Sequence, residues 1–337
     1  MDNKVITKPI PKRVVCIGGG TGTFVVLSGL KQYGYHLSAI VTMSDSGGSN
    51  KRIRDEFGLL PTSDIRQCLI ALSAEKGRTG LIRQLFMYRF EKGQGISGMT
   101  FGNLFMAALS DILGSQAEAI KQTGKVLRIA GSVIPVSFSK TNLFARYEDG
   151  SVVGEEHLID EPEHDGTLKI VETYLKPRPR ANPEAIKAIE SADVIVMGPG
   201  DLYTSLLPNM MVSGVASAIK KSRAKKLFVL NLMTKYGQTY NMTASDHIKA
   251  LEKYIGKTLD AVIVNDSGFP QGVLQKYKKL NEFPVVDDLS KTTYYTVVRT
   301  NIVSDKIAQK QKSDTLIRSL IRHDDTKLAA AIKEIVE

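Results

Sequence analysis

The chain has 337 residues, 42% of them hydrophobic, with a formal net charge of +10 at pH 7. It can bury a large core in one or two domains, and no run of about 18 apolar residues is present, which argues against a helical membrane span. The Lys and Arg are spread along the sequence without an RNP, zinc-finger or helix-turn-helix signature, so nucleic acid is not the expected partner and an anionic small molecule suits the charge. The stretch 1–12 is polar, carries two prolines and has no apolar core, so it does not read as a secretory signal. Cys16 and Cys68 are the only cysteines. Each lies in an apolar stretch and reads as a buried thiol, which points to the cytoplasm.

Residues 13–17 read as the first strand. Val14 through Ile17 are apolar in a row, as in a strand buried on both faces. The strand runs into Gly18, Gly19, Gly20, Thr21 and Gly22 and then a helix over 21–33. A second strand over 37–43 ends in Ser44-Asp45-Ser46-Gly47-Gly48-Ser49. Strand, helix and strand in about 30 residues make a βαβ unit, and the C-terminal strand edge of an open parallel sheet is where ligands bind. After the basic stretch Lys51-Arg52-Ile53-Arg54 come helices over 65–73, 81–90, 103–113 and 116–127, the first opened by Ser63 or Asp64 as N-cap. From residue 131 the texture changes to short strands over 132–138, 143–147, 152–153 and 168–174, with turns at Asp149-Gly150 and Asp165-Gly166. The stretch 131–176 therefore reads as a β-rich, antiparallel insertion.

The α/β rhythm then resumes. Helices over 182–192, 207–222 and 244–254 alternate with strands over 193–197, 227–233 and 259–264, and Asn182 is the expected cap of the first. A strand over 293–303 and a helix over 325–336 close the chain. The expected fold class is α/β, a single doubly wound domain over 1–337 with a mainly parallel sheet and the β-rich insertion within it.

Four strand ends carry candidate chemistry. Gly18, Gly19, Gly20 and Gly22 leave backbone N–H groups uncovered before a helix, the pattern of a phosphate seat. Neither a G-x-G-x-x-G fingerprint nor a Walker A loop is completed, and a tight strand-to-helix connection is the plainer alternative. Asp45 and Asp64 sit at loop or helix starts near the same edge. They are candidates either for holding Mg²⁺, which takes one or two carboxylates plus substrate phosphates, or, for Asp64, for capping alone. Asp45 also stands near the position of a ribose-binding acid in nicotinamide enzymes, against which the missing third glycine counts. Gly198-Pro199-Gly200-Asp201 repeats the strand-to-glycine-turn pattern and suits a second phosphate or sugar contact. Asn231-Leu232-Met233-Thr234 ends the next strand and suits a base or ribose. No histidine pair has metal-ligand spacing and no nucleophile motif is present.

Together, the segments 15–22, 41–49, 61–73, 198–207 and 231–251 resemble the YvcK branch of the CofD-like proteins, the gluconeogenesis factor family. GPGDLYTSLLPN and NLMT followed by ASDHIKAL are the most specific. The resemblance runs from about 13 to 335. It implies a Rossmann-like fold and a relative, 2-phospho-L-lactate transferase, that moves a phospholactyl group from a guanosine diphosphate donor to a deazaflavin with Mg²⁺. For this branch it implies a regulator that binds UDP-sugars such as UDP-N-acetylglucosamine and supports cell shape and wall synthesis on gluconeogenic carbon. By position, Gly19, Gly20, Thr21 and Gly22 match the phosphate-side loop, and Asp45 and Asp64 match the acidic positions that serve metal in the transferase branch. Asn231 and Thr234 match the nucleotide-side motif. Tyr277 and Arg322 match the late aromatic and arginine linked to UDP-sugar binding. Ser46, Gly47, Gly48, Asn103, Gly198 and Gly200 complete the expected ligand-binding set. No catalytic residue is assigned beyond the candidates Asp45 and Asp64, and a homodimer is compatible with the architecture. Ser46 departs from the family pattern, which has a second Asp there, and 61–67 reads Pro-Thr-Ser-Asp-Ile-Arg-Gln in place of Pro-Pro-Gly-Asp-Ile-Arg-Asn. The lost carboxylate weakens a metal site.

Overall fold

The unbroken apolar run Val14 to Ile17 forms the middle of strand β1 (Arg13–Gly18), and all four side chains are 0–2% exposed. Successive residues of a strand point to opposite faces. Val14 and Cys16 accordingly join one hydrophobic core and Val15 and Ile17 the other, so the sheet is covered on both sides. The computed structural model describes residues 10–74, 80–308 and 319–337. The remaining strands are β2 (His36–Val41), β3 (Ser132–Pro135), β4 (Asn142–Tyr147), β5 (Val152–Gly154), β6 (Ile170–Lys176), β7 (Val194–Met197), β8 (Lys225–Val229), β9 (Ala261–Asn265) and β10 (Thr296–Thr300).

Seven strands make one sheet in the order β10-β9-β8-β7-β1-β2-β3, and every neighbouring pair in it is parallel. The doubly wound α/β class is as expected. A separate antiparallel sheet has the order β5-β4-β6. Its inward residues Leu143, Ala145 and Tyr147 share a core with Ile189, Ile195 and Met197 of the larger layer. Among the described residues no helix is long and apolar enough to cross a membrane.

One feature of the order places the site. From β1 the chain crosses to β2 on one side, while β7 lies on the other side of β1 and leads to β8. The winding therefore reverses between β1 and β7. At such a switch point the two connections diverge and leave a crevice outside the strand C-termini. Both strands end there in glycine turns, at 18–22 and 198–201.

The structure departs from the sequence reading in four places in the main α/β layer. Ser132–Pro135, read as the start of the antiparallel insertion, is the edge strand of the main sheet, in parallel register with β2 from Ser38↔Ser132 to Val41↔Pro135. It follows the helix Gln116–Val126, so it completes a crossover, and an edge tolerates Pro135. The stretch after Gly47, noted only as basic and given no element, is a helix, Gly48–Phe57, whose Ile53 is fully buried. The helix expected over 207–222 is divided into Leu207–Met211 and Val215–Lys221, separated at Gly214 with φ +97. A further helix, Gln271–Lys279, lies in a stretch to which no element was assigned.

Candidate functional site

A cavity of about 410 Å³ opens at the β1–β7 switch point. Its floor is Gly19, Gly20, Thr21 and Gly22, where the helix Gly20–Leu30 begins. The N-cap, Gly19, supplies no side chain to the first N–H groups of that helix. Close approach explains the glycines. A Cβ on Gly22 would lie 2.0 Å from the carbonyl oxygen of Pro199, and one on Gly19 would lie 2.4 Å from Oδ2 of Asp64. The first contact locks the two glycine turns together. The second lays the Asp64 carboxylate against the β1 turn.

Asp45 and the start of the helix that carries Asp64 are joined by a residue that sequence reading did not single out. Asn50 Oδ1 accepts the N–H groups of Thr62 and Ser63, both at 3.1 Å, and the Ser63 hydroxyl at 3.0 Å. The N-cap of the helix Ser63–Leu72 is Thr62, whose side chain makes no cap bond. Asn50 thus fills the capping role, and Asp64 sits inside the first turn, not at the cap. The Asn50 amide donates to Asp45 Oδ2, while Asp45 Oδ1 accepts the Gly47 N–H at 2.8 Å. Burial raises the Asp45 carboxyl above its ordinary range; these two hydrogen bonds oppose the shift.

The remaining expected residues divide into wall and support. Asp45, Gly47, Asp64, Gly200, Asn231, Thr234, Tyr277 and Arg322 line the cavity with the floor residues. Asn231 Oδ1 accepts the Gly200 N–H at 3.3 Å, which ties the loop after β8 to the turn after β7. Thr234 pairs with Phe283, its N–H donating to the carbonyl at 2.7 Å and its hydroxyl oxygen accepting the N–H at 2.9 Å. Ser46, Asn103 and Gly198 stand behind the wall. Ser46 is 1% exposed, with Oγ 3.0 Å from His157 Nδ1 and its N–H donated to Glu156 Oε2 at 3.2 Å. It therefore anchors the short helix Glu156–Asp160. Asn103 is fully buried and braces the wall from behind, donating to the Ser49 and Ser63 hydroxyls at 3.0 and 3.1 Å and accepting Arg66 Nε at 3.0 Å. Gly48 opens its helix, and Gly198 ends the β7 strand with φ +74.

The lining also holds ionisable groups that the sequence did not announce: Glu156, His157, Asp160, Lys235 and Glu282. Burial, then Asp45 and Asp160, push the Glu156 carboxyl well above its usual value. Lys235 Nζ is 3.7 Å from Asp160 Oδ1. Burial works against its charge, but Asp160, Asp201, Glu282 and Glu161 outweigh it and hold the ammonium above its usual value. Burial pushes Glu282 up to about 7, against the pull of Lys235. His323 Nε2 meets the Leu230 carbonyl at 3.2 Å, and burial pushes its imidazole down to about 4. The helix Glu156–Asp160 has five residues inside the β-rich stretch, too few for a helical period to mark it.

Among the described residues no group of three or more His, Cys, Asp or Glu side chains is arranged to hold a metal ion. Asp45 and Asp64 do both face the cavity beside the glycine floor. That set suits Mg²⁺ completed by ligand phosphates, not an all-protein cage.

Residues 14–303 match the family described as 2-phospho-L-lactate transferase CofD. The chain is 39% identical to the gluconeogenesis factor of Halalkalibacterium halodurans over 325 residues, 96% of each chain. It is 37% identical to the gluconeogenesis factor of Bacillus subtilis over 329 residues, 96% of this chain and 98% of that one. The crystal structure of a protein from Bacillus halodurans is similar with a TM-score of 0.86 at 38% identity, covering 96% of this chain and 100% of that chain.

Proposed function

Because the chain belongs to the gluconeogenesis factor family of CofD-like proteins, we propose that it binds a nucleotide sugar at the switch-point cavity, a UDP-sugar such as UDP-N-acetylglucosamine, as a cytoplasmic regulator of cell-wall synthesis, cell shape and carbon metabolism. The observation that carries this reading is the convergence of two bare glycine turns at the C-terminal ends of β1 and β7. Backbone N–H groups at a helix start favour an anion, and 410 Å³ is the size of a small-molecule site. In this reading the phosphates lie on Gly19 to Gly22 and the uridine lies toward Asn231 and Thr234. Arg52, Arg66, Arg89 and Arg322 in the wall supply positive charge for the diphosphate. The carboxyl groups of Glu156, Asp160 and Glu282 offer hydrogen-bond partners to sugar hydroxyls. Isothermal titration with UDP-N-acetylglucosamine and UDP-glucose tests the proposal. Saturable heat is expected, and its absence at millimolar ligand with folded protein overturns it.

Asp45 and Asp64 beside the floor favour a second reading, a Mg²⁺-dependent phosphotransferase using a nucleoside diphosphate donor. There Asp45 and Asp64 would hold the ion, which neutralises phosphate charge. The chain's own part is to hold donor and acceptor in line and exclude water. Transfer from a phospholactyl guanosine diphosphate donor to a deazaflavin, followed by phosphorus NMR, tests it. Transfer that survives in Asp45→Asn would refute this assignment of the ion's ligands.

A further inference from the structure

The wall segment carrying Arg322 and His323 is held from several sides. Along one side it pairs with 302–308: Asp324 N–H donates to the Ile302 carbonyl at 2.8 Å, Ser304 N–H to the Arg322 carbonyl at 2.9 Å and Ala308 N–H to the Leu320 carbonyl at 2.9 Å. At its far end His323 reaches the Leu230 carbonyl. The third hold comes from one side chain. The phenol oxygen of Tyr277 accepts the N–H of Leu320 at 2.8 Å and that of Ile321 at 2.9 Å. The Ser319 side chain is a further hydrogen-bond partner of the same phenol. Tyr277 is 4% exposed, and its backbone carbonyl takes the N–H groups of Leu280 at 2.8 Å and Glu282 at 3.1 Å. It is therefore the junction of the helix Gln271–Lys279, Glu282 and the Arg322 segment.

A phenol oxygen has two acceptor sites and one hydrogen. The two backbone N–H groups fill both acceptor sites, so the oxygen has no lone pair left for a donor on a molecule in the cavity. We propose that Tyr277 is a positioning residue: it sets affinity for the bound nucleotide sugar by clamping the backbone of Leu320 and Ile321, and through it the Arg322 guanidinium, and its oxygen accepts no hydrogen bond from the ligand. This rests on the reading that a nucleotide sugar occupies the cavity. It assigns different roles to the two residues, Arg322 as the contact and Tyr277 as its support. Arg322 is oriented from its own side as well, its Nε donating to the Ser319 carbonyl at 3.3 Å.

The test is a double-mutant cycle in affinity for UDP-N-acetylglucosamine by isothermal titration, joined to amide hydrogen exchange on the ligand-free protein. Tyr277→Phe keeps the buried ring and removes the acceptor. It is expected to weaken binding by about tenfold, the scale of lost backbone hydrogen bonds. Arg322→Ala is expected to weaken binding at least as much. In the double variant, Tyr277→Phe should add no further loss, because the group it positions is gone. Additive losses overturn the proposal: a direct contact, or a general loosening of the cavity, weakens binding in both backgrounds. Exchange at Leu320 and Ile321 should speed up in Tyr277→Phe by about tenfold or more, and unchanged exchange there overturns the clamp. If the wild type binds no nucleotide sugar, the proposed function falls, and the exchange experiment still decides the clamp. Should Tyr277→Phe fail to fold, the wild type decides it, since unprotected amides at Leu320 and Ile321 refute the hydrogen bonds outright.

Discussion

Gly22→Ala and Gly272→Ala make the same chemical change with opposite expected signs. At Gly22 the new methyl would sit 2.0 Å from the Pro199 oxygen, 2.5 Å from the Pro199 carbonyl carbon and 3.1 Å from the Gly200 nitrogen. These are backbone atoms of a turn pinned between β7 and Asn231, not the free end of a side chain. Real Cβ contacts stay beyond 3.0 Å, so the two glycine turns must separate by roughly 1 Å. Overpacking costs about 1–3 kcal/mol, and a rigid neighbour puts the cost near the upper end, about 3 kcal/mol. The same shift moves the cavity floor away from the turn after β7, so affinity for the nucleotide sugar should fall by about tenfold or more, equivalent to about 1.4 kcal/mol. At Gly272, inside the helix Gln271–Lys279, a Cβ meets nothing within 4 Å. There alanine should stabilise by about 0.5–1 kcal/mol through lower backbone entropy in the unfolded chain. Urea unfolding of both variants, with titration of the ligand, separates the two cases. A Gly22→Ala protein as stable as wild type and with unchanged affinity would show that the turns do not need this contact, and the switch-point geometry would lose its support.

Three other changes test the wall. His323 titrates at about 4 when folded against an ordinary 6.5, so the unfolded chain binds more protons between those values. Relative to His323→Gln, the wild type should lose about 3 kcal/mol as pH falls from 6.5 to 4 and nothing above 6.5; parallel stability curves from urea unfolding would contradict the burial of this ring. Asn50→Ala removes the acceptor for Thr62, Ser63 and the Ser63 hydroxyl together with the link to Asp45, and should cost about 2 kcal/mol, at the upper end of a lost helix cap. A loss below about 0.5 kcal/mol in urea would exclude Asn50 as the cap. Lys235→Met removes the cation beside Asp160 and Glu282, so the Glu282 carboxyl should titrate above about 7. Carbon NMR of the glutamate carboxyls reads this directly, and an unmoved Glu282 would show that Lys235 does not act on it.

The strands and turns on either side of the cavity were legible because their signals are local. The apolar run Val14 to Ile17 followed by glycines, the Asp45 loop after β2 and the 198–201 turn after β7 each show a strand ending in turn chemistry within a few residues. Asn182, read as a cap, accepts the Glu184 N–H at 3.0 Å, because capping too is a contact between near neighbours. What brings these pieces into one site is not local. The pairing of β1 with β7, from Val14↔Val194 to Ile17↔Met197, sets the two glycine turns face to face across about half the chain. The same long-range packing moves Ser132–Pro135 into the main sheet and carries Glu156 and Asp160 to the cavity beside Asp45. Ser46 and Asp45 are adjacent in sequence, yet Asp45 lines the cavity and Ser46 faces His157. Only the elements packed around this loop determine which of the two side chains lines the cavity and which supports it. Periodicity and turn chemistry record how a residue meets its near neighbours. The order of parallel strands depends on which apolar faces cover one another across the whole chain, and that order made a set of separate strand ends into one cavity.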